Sequence, residues 1–402
     1  MSEEHPEAPP LPPVTPYDES APAALPTRGP VTALRVVGRN IQLDLSPAQD
    51  RFTLGAAPRP AVDLTLDGDQ VSRLHLVLER KGPKLRVVDQ KSTNGTFYRG
   101  HRDPDFEVAP GDVFEVTRRM TLIALDAHML LLRRRLLWVL GLRNHAAADQ
   151  ALEAIAANKP LLLVGPPGCE QRAIADEIHR RSPYSDRAFV EAPLDFASRA
   201  EQDDVLTRAA RGSVYIDATR LTDAADLDPL PNYFVAGAFG DCRPIVAALS
   251  EAVATELLDH FGRRLHTIRL ATPASRPEDI PRLLDALIVQ EHERKVQAGE
   301  ATGELLPITA LGEENLAALR AHPWPGHFAD LRRQVPRLHA LLTNGLRLRA
   351  TARALGLRSV ASLSEALDRI GIHVKPSDGD DAPIDGSGGD DERPTPPGAP
   401  TR

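Results

Sequence analysis

Two short turns and one glycine-rich loop hold the side chains best equipped for chemistry. The turns are Ser72-Arg73-Leu74-His75 and Ser92-Thr93-Asn94-Gly95-Thr96. Between them they offer hydroxyls, an amide and one guanidinium, which are short donors and a positive charge suited to an anionic group. The loop is Gly165-Pro166-Pro167-Gly168-Cys169-Glu170-Gln171. A hydrophobic strand at 161–164 runs into it and a helix at 172–180 follows, the context that a phosphate-binding loop requires. A working loop has Gly-Lys where this chain has Glu170-Gln171: the lysine neutralises the β- and γ-phosphates, and the glycine lets the backbone come close. Gln171 supplies no charge and Glu170 adds a negative one; at about 4 Å and an effective dielectric near 20, one unit charge is worth ~4 kcal/mol. Other candidates are weaker. His145, His179 and His322 lack metal-ligand spacing. Cys169, at a helix N-terminus, is expected to be a packed or solvated thiol rather than a redox sensor. Arg133, Arg134 and Arg135 are expected to form a solvated helix face rather than a nucleic-acid patch.

These residues sit in a chain of 402 residues, long enough for two or three domains. Apolar residues make up 42% and charged residues 26%, a core-forming composition. The formal charge of −8 lies entirely in the ends: residues 1–30 carry a net −4 and residues 375–402 another −4. The middle is neutral, so net charge supports no general attraction to nucleic acid or membrane. Two cysteines cannot build a disulfide framework and suggest a reducing compartment. The first residues are acidic and lack the apolar core of a secretory signal. The most apolar stretch, 129–142, is too short to span a bilayer and carries three arginines. The expectation is a cytoplasmic protein with no membrane partner.

Residues 31–126 read as strand throughout, at 34–37, 41–45, 51–54, 62–66, 74–78, 85–88, 96–98, 106–108, 113–116 and 121–125, separated by turn residues. That rhythm predicts a β-sandwich or barrel. Residues 129–142 read as a helix with Met129, Leu132, Leu136 and Leu140 on one face. From 144 to about 344 helices alternate with short buried strands at 161–164, 214–216 and 245–248, the pattern of a parallel α/β sheet. Residues 347–372 read as a pair of short helices. The Pro- and acid-rich ends, 1–30 and 375–402, read as disordered.

The S-x-x-H and T-x-N-G turns, with the preceding Val62-Asp63-Leu64-Thr65-Leu66 run and the following Tyr98, Val108 and Gly111-Asp112, resemble the forkhead-associated (FHA) family, a β-sandwich that binds phosphothreonine peptides. The resemblance covers essentially all of 31–126. It implies that the Ser72 hydroxyl and Arg73 meet the phosphate, that Thr93 and Asn94 hold the peptide beside it, and that His75 ties one loop to the other. The family usually has Gly-Arg where this chain has Gly55-Ala56. Losing one such charged donor costs roughly 1.5–3 kcal/mol. Arg59 is the nearby candidate to reach in.

The second block resembles the AAA+ domain of sigma-54-dependent transcription activators. The resemblance rests on Glu177-Ile178-His179-Arg180 with Ser182-Pro183 and Phe189-Val190, on Arg276-Pro277-Glu278-Asp279-Ile280-Pro281, and on Trp324-Pro325-Gly326, and it covers most of 144–342. It implies nucleotide binding around Gly165, Gly168, Gln171 and Asp217, the last in the place of a metal-associated acid. The functional positions depart from it. Ala218 replaces the water-activating Glu, Gly262 the first intersubunit arginine, and Ala329 the nucleotide-sensing arginine. The interval from Gln171 to Asp217 is too short for the GAFTGA contact loop, and Gly237-Ala238-Phe239-Gly240, beyond Asp217, reads as coincidence. These groups act as a unit in catalysis, so the expectation is a pseudo-ATPase: not an enzyme, with no cofactor required. Residual ATP binding without hydrolysis stays open, because strand, turn and helix N-terminus persist.

Residues 347–372 resemble the terminal helix-turn-helix of the same activators. Its implied DNA contacts are Arg353, Arg358, Ser359 and Ser362, with Ala352, Leu355, Leu357, Leu363, Leu367 and Ile372 as core. Glu365 and Asp368 on the second helix oppose base reading, and dimerisation is the alternative role. The expected organisation is a tail (1–30), an FHA sandwich (31–127), a linker helix (128–143), an AAA+-like α/β domain (144–284), a helical lid (285–345), a helix-turn-helix (346–374) and an acidic tail (375–402). The expected function is a phosphorylation-responsive transcription regulator whose partners are a phosphothreonine-containing protein, DNA, and copies of itself or related AAA+ activators in a homo- or hetero-oligomer. The alternatives are a phosphopeptide scaffold that does not touch DNA and an active ATP-driven activator.

Overall fold

The computed structural model describes residues 29–58, 61–182, 185–192, 198–219, 221, 242–260, 264–301 and 304–375. Arg59, Gly262, the Gly237–Gly240 run and nearly all of both tails lie outside the described residues. The chain divides into two compact units, one ending at Asp279 and including Trp324–Asp330, the other comprising Ile280–Pro323 and the chain from Leu331 onward.

The first unit begins as a β-sandwich. Its strands are β1 (Ala33–Val36), β2 (Ile41–Asp44), β3 (Arg51–Gly55), β4 (Leu64–Thr65), β5 (Leu76–Lys81), β6 (Lys84–Asp89), β7 (Thr96–Tyr98), β8 (His101–Arg102), β9 (Asp105–Val108), β10 (Val113–Val116) and β11 (Met120–Leu125), and apolar–polar alternation, clear in β3, β9 and β10, turns one face inward. They pair into a six-stranded sheet, β2-β1-β11-β10-β7-β8, and a five-stranded sheet, β4-β3-β5-β6-β9. Leu34, Phe52, Leu54, Leu76, Leu78, Phe106 and Phe114 lie between them in one core. Tyr98 stacks on Phe106 with ring centroids 4.6 Å apart, and Phe106 meets Phe114 edge-on at 5.7 Å. The strand expected at 74–78 starts later, at Leu76: Leu74 belongs to the turn and is 42% exposed. The two-residue β8 is too short to show a period, and sequence reading missed it.

Helix α1 (Ala127–Leu140) follows β11 directly, its first turn capped by Asp126, which accepts from the Met129 N–H. It is buried along most of its length, and this corrects the solvated face expected for Arg133 and Arg135, which are 6% and 4% exposed. Both are paired with carboxylates. Arg133 meets Asp149 of α2 (His145–Ala156) at 2.6 Å, and Arg135 meets Glu170 at 2.7 Å. Arg35 of β1 also reaches Asp149, at 3.1 Å, so one buried carboxylate joins the sandwich to both helices.

Beyond α2 the chain forms the parallel sheet β13-β14-β15-β12-β16, from β12 (Leu161–Val164), β13 (Phe189–Ala192), β14 (Ser213–Ala218), β15 (Arg243–Ala248) and β16 (His266–Arg269). Helices α3 (Gln171–Arg180), α4 (Arg199–Arg208) and α5 (Glu251–His260) accompany it. The central β12, β14 and β15 are near-continuous apolar runs, as strands covered on both faces require. β16, His-Thr-Ile-Arg, carries one fully apolar residue and escaped the sequence reading.

The second unit is helical, with α6 (Ile280–Gln297), α7 (Glu313–Ala321), most of α8 (Phe328–Thr343), α9 (Leu348–Ala354) and α10 (Val360–Asp368). Asn315 of α7 anchors the chain after α10, accepting from the His373 N–H at 2.7 Å and donating to its carbonyl at 3.0 Å. Among the described residues no helix is long and apolar enough to cross a membrane, and no three His, Cys, Asp or Glu residues are grouped to hold a metal.

Candidate functional site

The β4–β5 and β6–β7 turns meet at one end of the sandwich, joined through His75. Its ring is fully buried. Nδ1 accepts from the Ser72 N–H at 3.2 Å, and Nε2 lies 3.3 Å from the Gly95 carbonyl. Those two contacts together require the neutral Nε2–H tautomer. Burial holds the imidazole below its ordinary value against the pull of the Gly95 carbonyl and Asp89.

A second bridge links the same turns. The Thr93 N–H donates to the Ser72 hydroxyl oxygen at 3.2 Å, which leaves the Ser72 proton to point outward. The Asn94 amide donates to the Gln70 carbonyl at 2.8 Å, closing the two turns from their tips. Ser72 is half-buried, and Arg73, Thr93 and Asn94 are exposed, so donors and a guanidinium face solvent from a fixed base. The guanidinium of Arg73 makes no ion pair among the described residues. The structure thus brings Ser72, Arg73, Thr93 and Asn94 together.

Beneath the second turn lies a residue that sequence reading passed over. Asp89 accepts from the Ser92 N–H, the Ser92 hydroxyl and the Thr96 hydroxyl, each at 2.7 Å. Burial pushes its carboxyl upward, but these bonds and the nearby His75 prevail and hold it below the ordinary value. The Asp-x-x-Ser spacing of 89 and 92 is the signal that marks it.

The third loop of this end runs beside the first. The N–H groups of Ala56 and Ala57 donate to the carbonyls of Ser72 and Arg73 at 2.9 and 3.1 Å. Ala56 therefore stands beside Ser72, where a long cationic side chain would reach the same space, and its methyl instead packs partly against the core. Gly55 permits this approach, since a Cβ there would sit 2.1 Å from the Arg73 carbonyl oxygen.

The glycine-rich loop after β12 has a different character. The Gln171 side-chain amide turns back to the Gly165 and Pro166 carbonyls, the latter at 3.2 Å. Glu170 takes the left-handed conformation at φ +64°, and its carboxylate is held by Arg135. Gly168, at φ +87°, lies so close to the Gly326 carbonyl that a Cβ would come within 2.7 Å of the oxygen. The Trp-Pro-Gly segment thus packs on the loop from outside. Cys169 is fully buried, and burial, assisted by Glu170, pushes its thiol up to about 11, the packed state rather than a reactive one. Asp217 is exposed at the end of β14 and accepts from the Thr219 N–H at 3.0 Å, while Ala218 beside it is buried.

In the last helix pair, Arg353, Arg358 and Ser362 are exposed and Ser359 is half-buried. Ser359 is the N-cap of α10, accepting from the Ser362 N–H at 3.2 Å, and the two hydroxyls lie 3.0 Å apart. Ala352, Leu363, Leu367 and Ile372 are buried, and Leu355 and Leu357 half-buried.

No curated protein matches the chain. Among solved structures, the chain is similar to the Slr1951 protein from Synechocystis sp., at 22% identity over 23% of this chain and 96% of that one, with a TM-score of 0.21. It is similar to an FHA domain solved in a study of phosphothreonine-dependent FHA interactions, at 23% identity over 23% of this chain and 94% of that one, TM-score 0.21. It is also similar to NtrX from Brucella abortus in complex with ATP, at 18% identity over 61% of this chain and 68% of that one, TM-score 0.36. Residues 36–117, which hold both turns joined by His75, match the FHA domain family, and the N-terminal sandwich is an FHA domain.

Proposed function

We propose that this chain is a phosphorylation-responsive regulator whose FHA domain receives a phosphothreonine-containing protein. The observation that carries the reading is the pair of bridged turns: Ser72, Arg73, Thr93 and Asn94 bring two hydroxyls, a guanidinium and a side-chain amide to one end of the sandwich. A phosphothreonine brings nearly two negative charges and three strong acceptors, which this set matches. A phosphothreonine peptide array against the full chain tests it. Binding that requires the phosphate and falls at least tenfold in Ser72→Ala supports the reading; phosphate-independent binding, or binding that Ser72→Ala leaves intact, overturns it.

The α/β region is AAA+-like in this reading and does not turn over ATP. Gln171 and Ala218 supply neither the phosphate-binding cation nor the water-activating carboxylate, and the Gln171 amide is committed to the loop's own carbonyls. Its role is then assembly, with itself or with a related catalytic chain. A magnesium-dependent ATPase rate above that of Glu170→Ala would overturn this.

The last helices bind DNA in the leading version, through the exposed Arg353 and Arg358. The exposed Glu365 and Asp368 on α10 favour the scaffold reading instead. Recovery of discrete genomic fragments, lost in Arg353→Glu/Arg358→Glu, distinguishes a transcription regulator from a scaffold.

A further inference from the structure

The FHA domain lacks a cation at Ala56 but gathers cations around its second turn. The Gly95 carbonyl that meets His75 also accepts from the Thr117 N–H at 3.1 Å, so the β10–β11 turn is seated on the Asn94-Gly95 tip. The next two residues are Arg118 and Arg119, both exposed. The Arg118 guanidinium lies 4.8 Å from the ring centroid of Phe97, which fixes its position without neutralising it. Arg102 lies across from Phe97 in the β7–β8 pair and donates to the Ser92 carbonyl at 3.3 Å. It packs against Gly95 so closely that a Cβ there would lie 2.5 Å from its Nε.

None of Arg102, Arg118 and Arg119 makes an ion pair among the described residues. The nearest carboxylate in register with Phe97, Glu115 on β10, is half-buried and pairs with none of them. Two unneutralised guanidinium groups, those of Arg102 and Arg118, thus stand beside the second turn, held by a carbonyl and a ring, and Arg119 follows on the same exposed turn. A neutral peptide offers such groups only carbonyl oxygens, with no opposite charge to meet.

Building on the phosphothreonine reading, we propose that the segment this domain takes is acidic around its phosphothreonine, with flanking carboxylates or a second phosphate lying on the Arg102–Arg118–Arg119 rim. The expected gain is modest, because solvent-exposed ion pairs contribute little each, and it is sensitive to salt.

Fluorescence anisotropy with the full chain tests this, using a phosphothreonine peptide with Asp/Glu flanks, the same peptide with Ser/Gln flanks, and the unphosphorylated acidic peptide. The acidic phosphopeptide should bind about three- to tenfold more tightly than the neutral one at low salt, and the advantage should fade by about 0.5 M salt. Arg118→Gln/Arg119→Gln, changed on an exposed turn, should remove that advantage while leaving the neutral phosphopeptide's affinity unchanged. Equal affinity for the two phosphopeptides, or equal loss of both in the double variant, overturns the proposal while phosphothreonine recognition stands. If neither phosphopeptide binds, or Ser72→Ala changes nothing, phosphothreonine recognition itself fails and the proposal falls with it.

Discussion

His75 and Gly55, both buried, hold the turns of the FHA site in place behind the residues that would touch a ligand. His75 holds both turns only as a neutral ring, because Nδ1 must accept while Nε2 donates. Its folded value is depressed by burial from the ordinary 6.5. In the window between the two values the unfolded chain binds a proton that the native state refuses. The stabilisation is therefore complete above about pH 6.5 and is lost as pH falls through the folded value. His179 and His266, also lowered chiefly by burial, act in the same direction. Chemical denaturation at a series of pH values should show stability falling below about pH 6.5, with a shallower slope in His75→Gln. At Gly55, an added methyl must displace the Arg73 carbonyl from 2.1 Å. Gly55→Ala should cost about 2 kcal/mol or more and lower phosphopeptide affinity with it, read by thermal unfolding and anisotropy on the same sample.

Among the elements, α1 departs furthest from its sequence reading. Three consecutive arginines in an apolar helix suggested a wet face, yet Arg133 pairs with the buried Asp149 of α2 and Arg135 with the half-buried Glu170 in the glycine-rich loop. The Arg135–Glu170 pair also alters the meaning of the glycine-rich loop, whose negative charge is already matched from within. Arg135→Ala removes this partner of a half-buried carboxylate and should destabilise the protein by roughly 1–3 kcal/mol, measurable by denaturant unfolding. In the pseudo-ATPase reading, an upward shift of the melting temperature in millimolar MgATP, read by scanning fluorimetry, reports residual binding only, and phosphate release should stay at background.

For the molecule, Asp149 matters most. Fully buried, it receives Arg35 from the sandwich, Arg133 from α1 and the Gly38 N–H, and Arg133 also contacts His145 at 3.1 Å. Replacing it strands two buried guanidinium groups, so Asp149→Ala should cost about 3–5 kcal/mol. Because the carboxylate joins the sandwich to α1 and α2, scanning calorimetry of the variant should resolve an FHA transition separate from that of the α/β region.

The sequence alone determined the class of both halves of the first unit, because strand alternation and buried apolar runs are local patterns that need no partner to be read. It also singled out Ser72, Arg73, Thr93 and Asn94, whose types and turn contexts are written in adjacent residues. Only the tertiary structure decided what those turns rest on. Gly55 acts through its close approach to the Arg73 carbonyl on another turn, and the place of Ala56 beside Ser72 comes from hydrogen bonds between two separate turns. The arginines of α1 were misread for the same reason: a charge next to apolar neighbours looks solvated until the fold supplies the buried carboxylate that balances it.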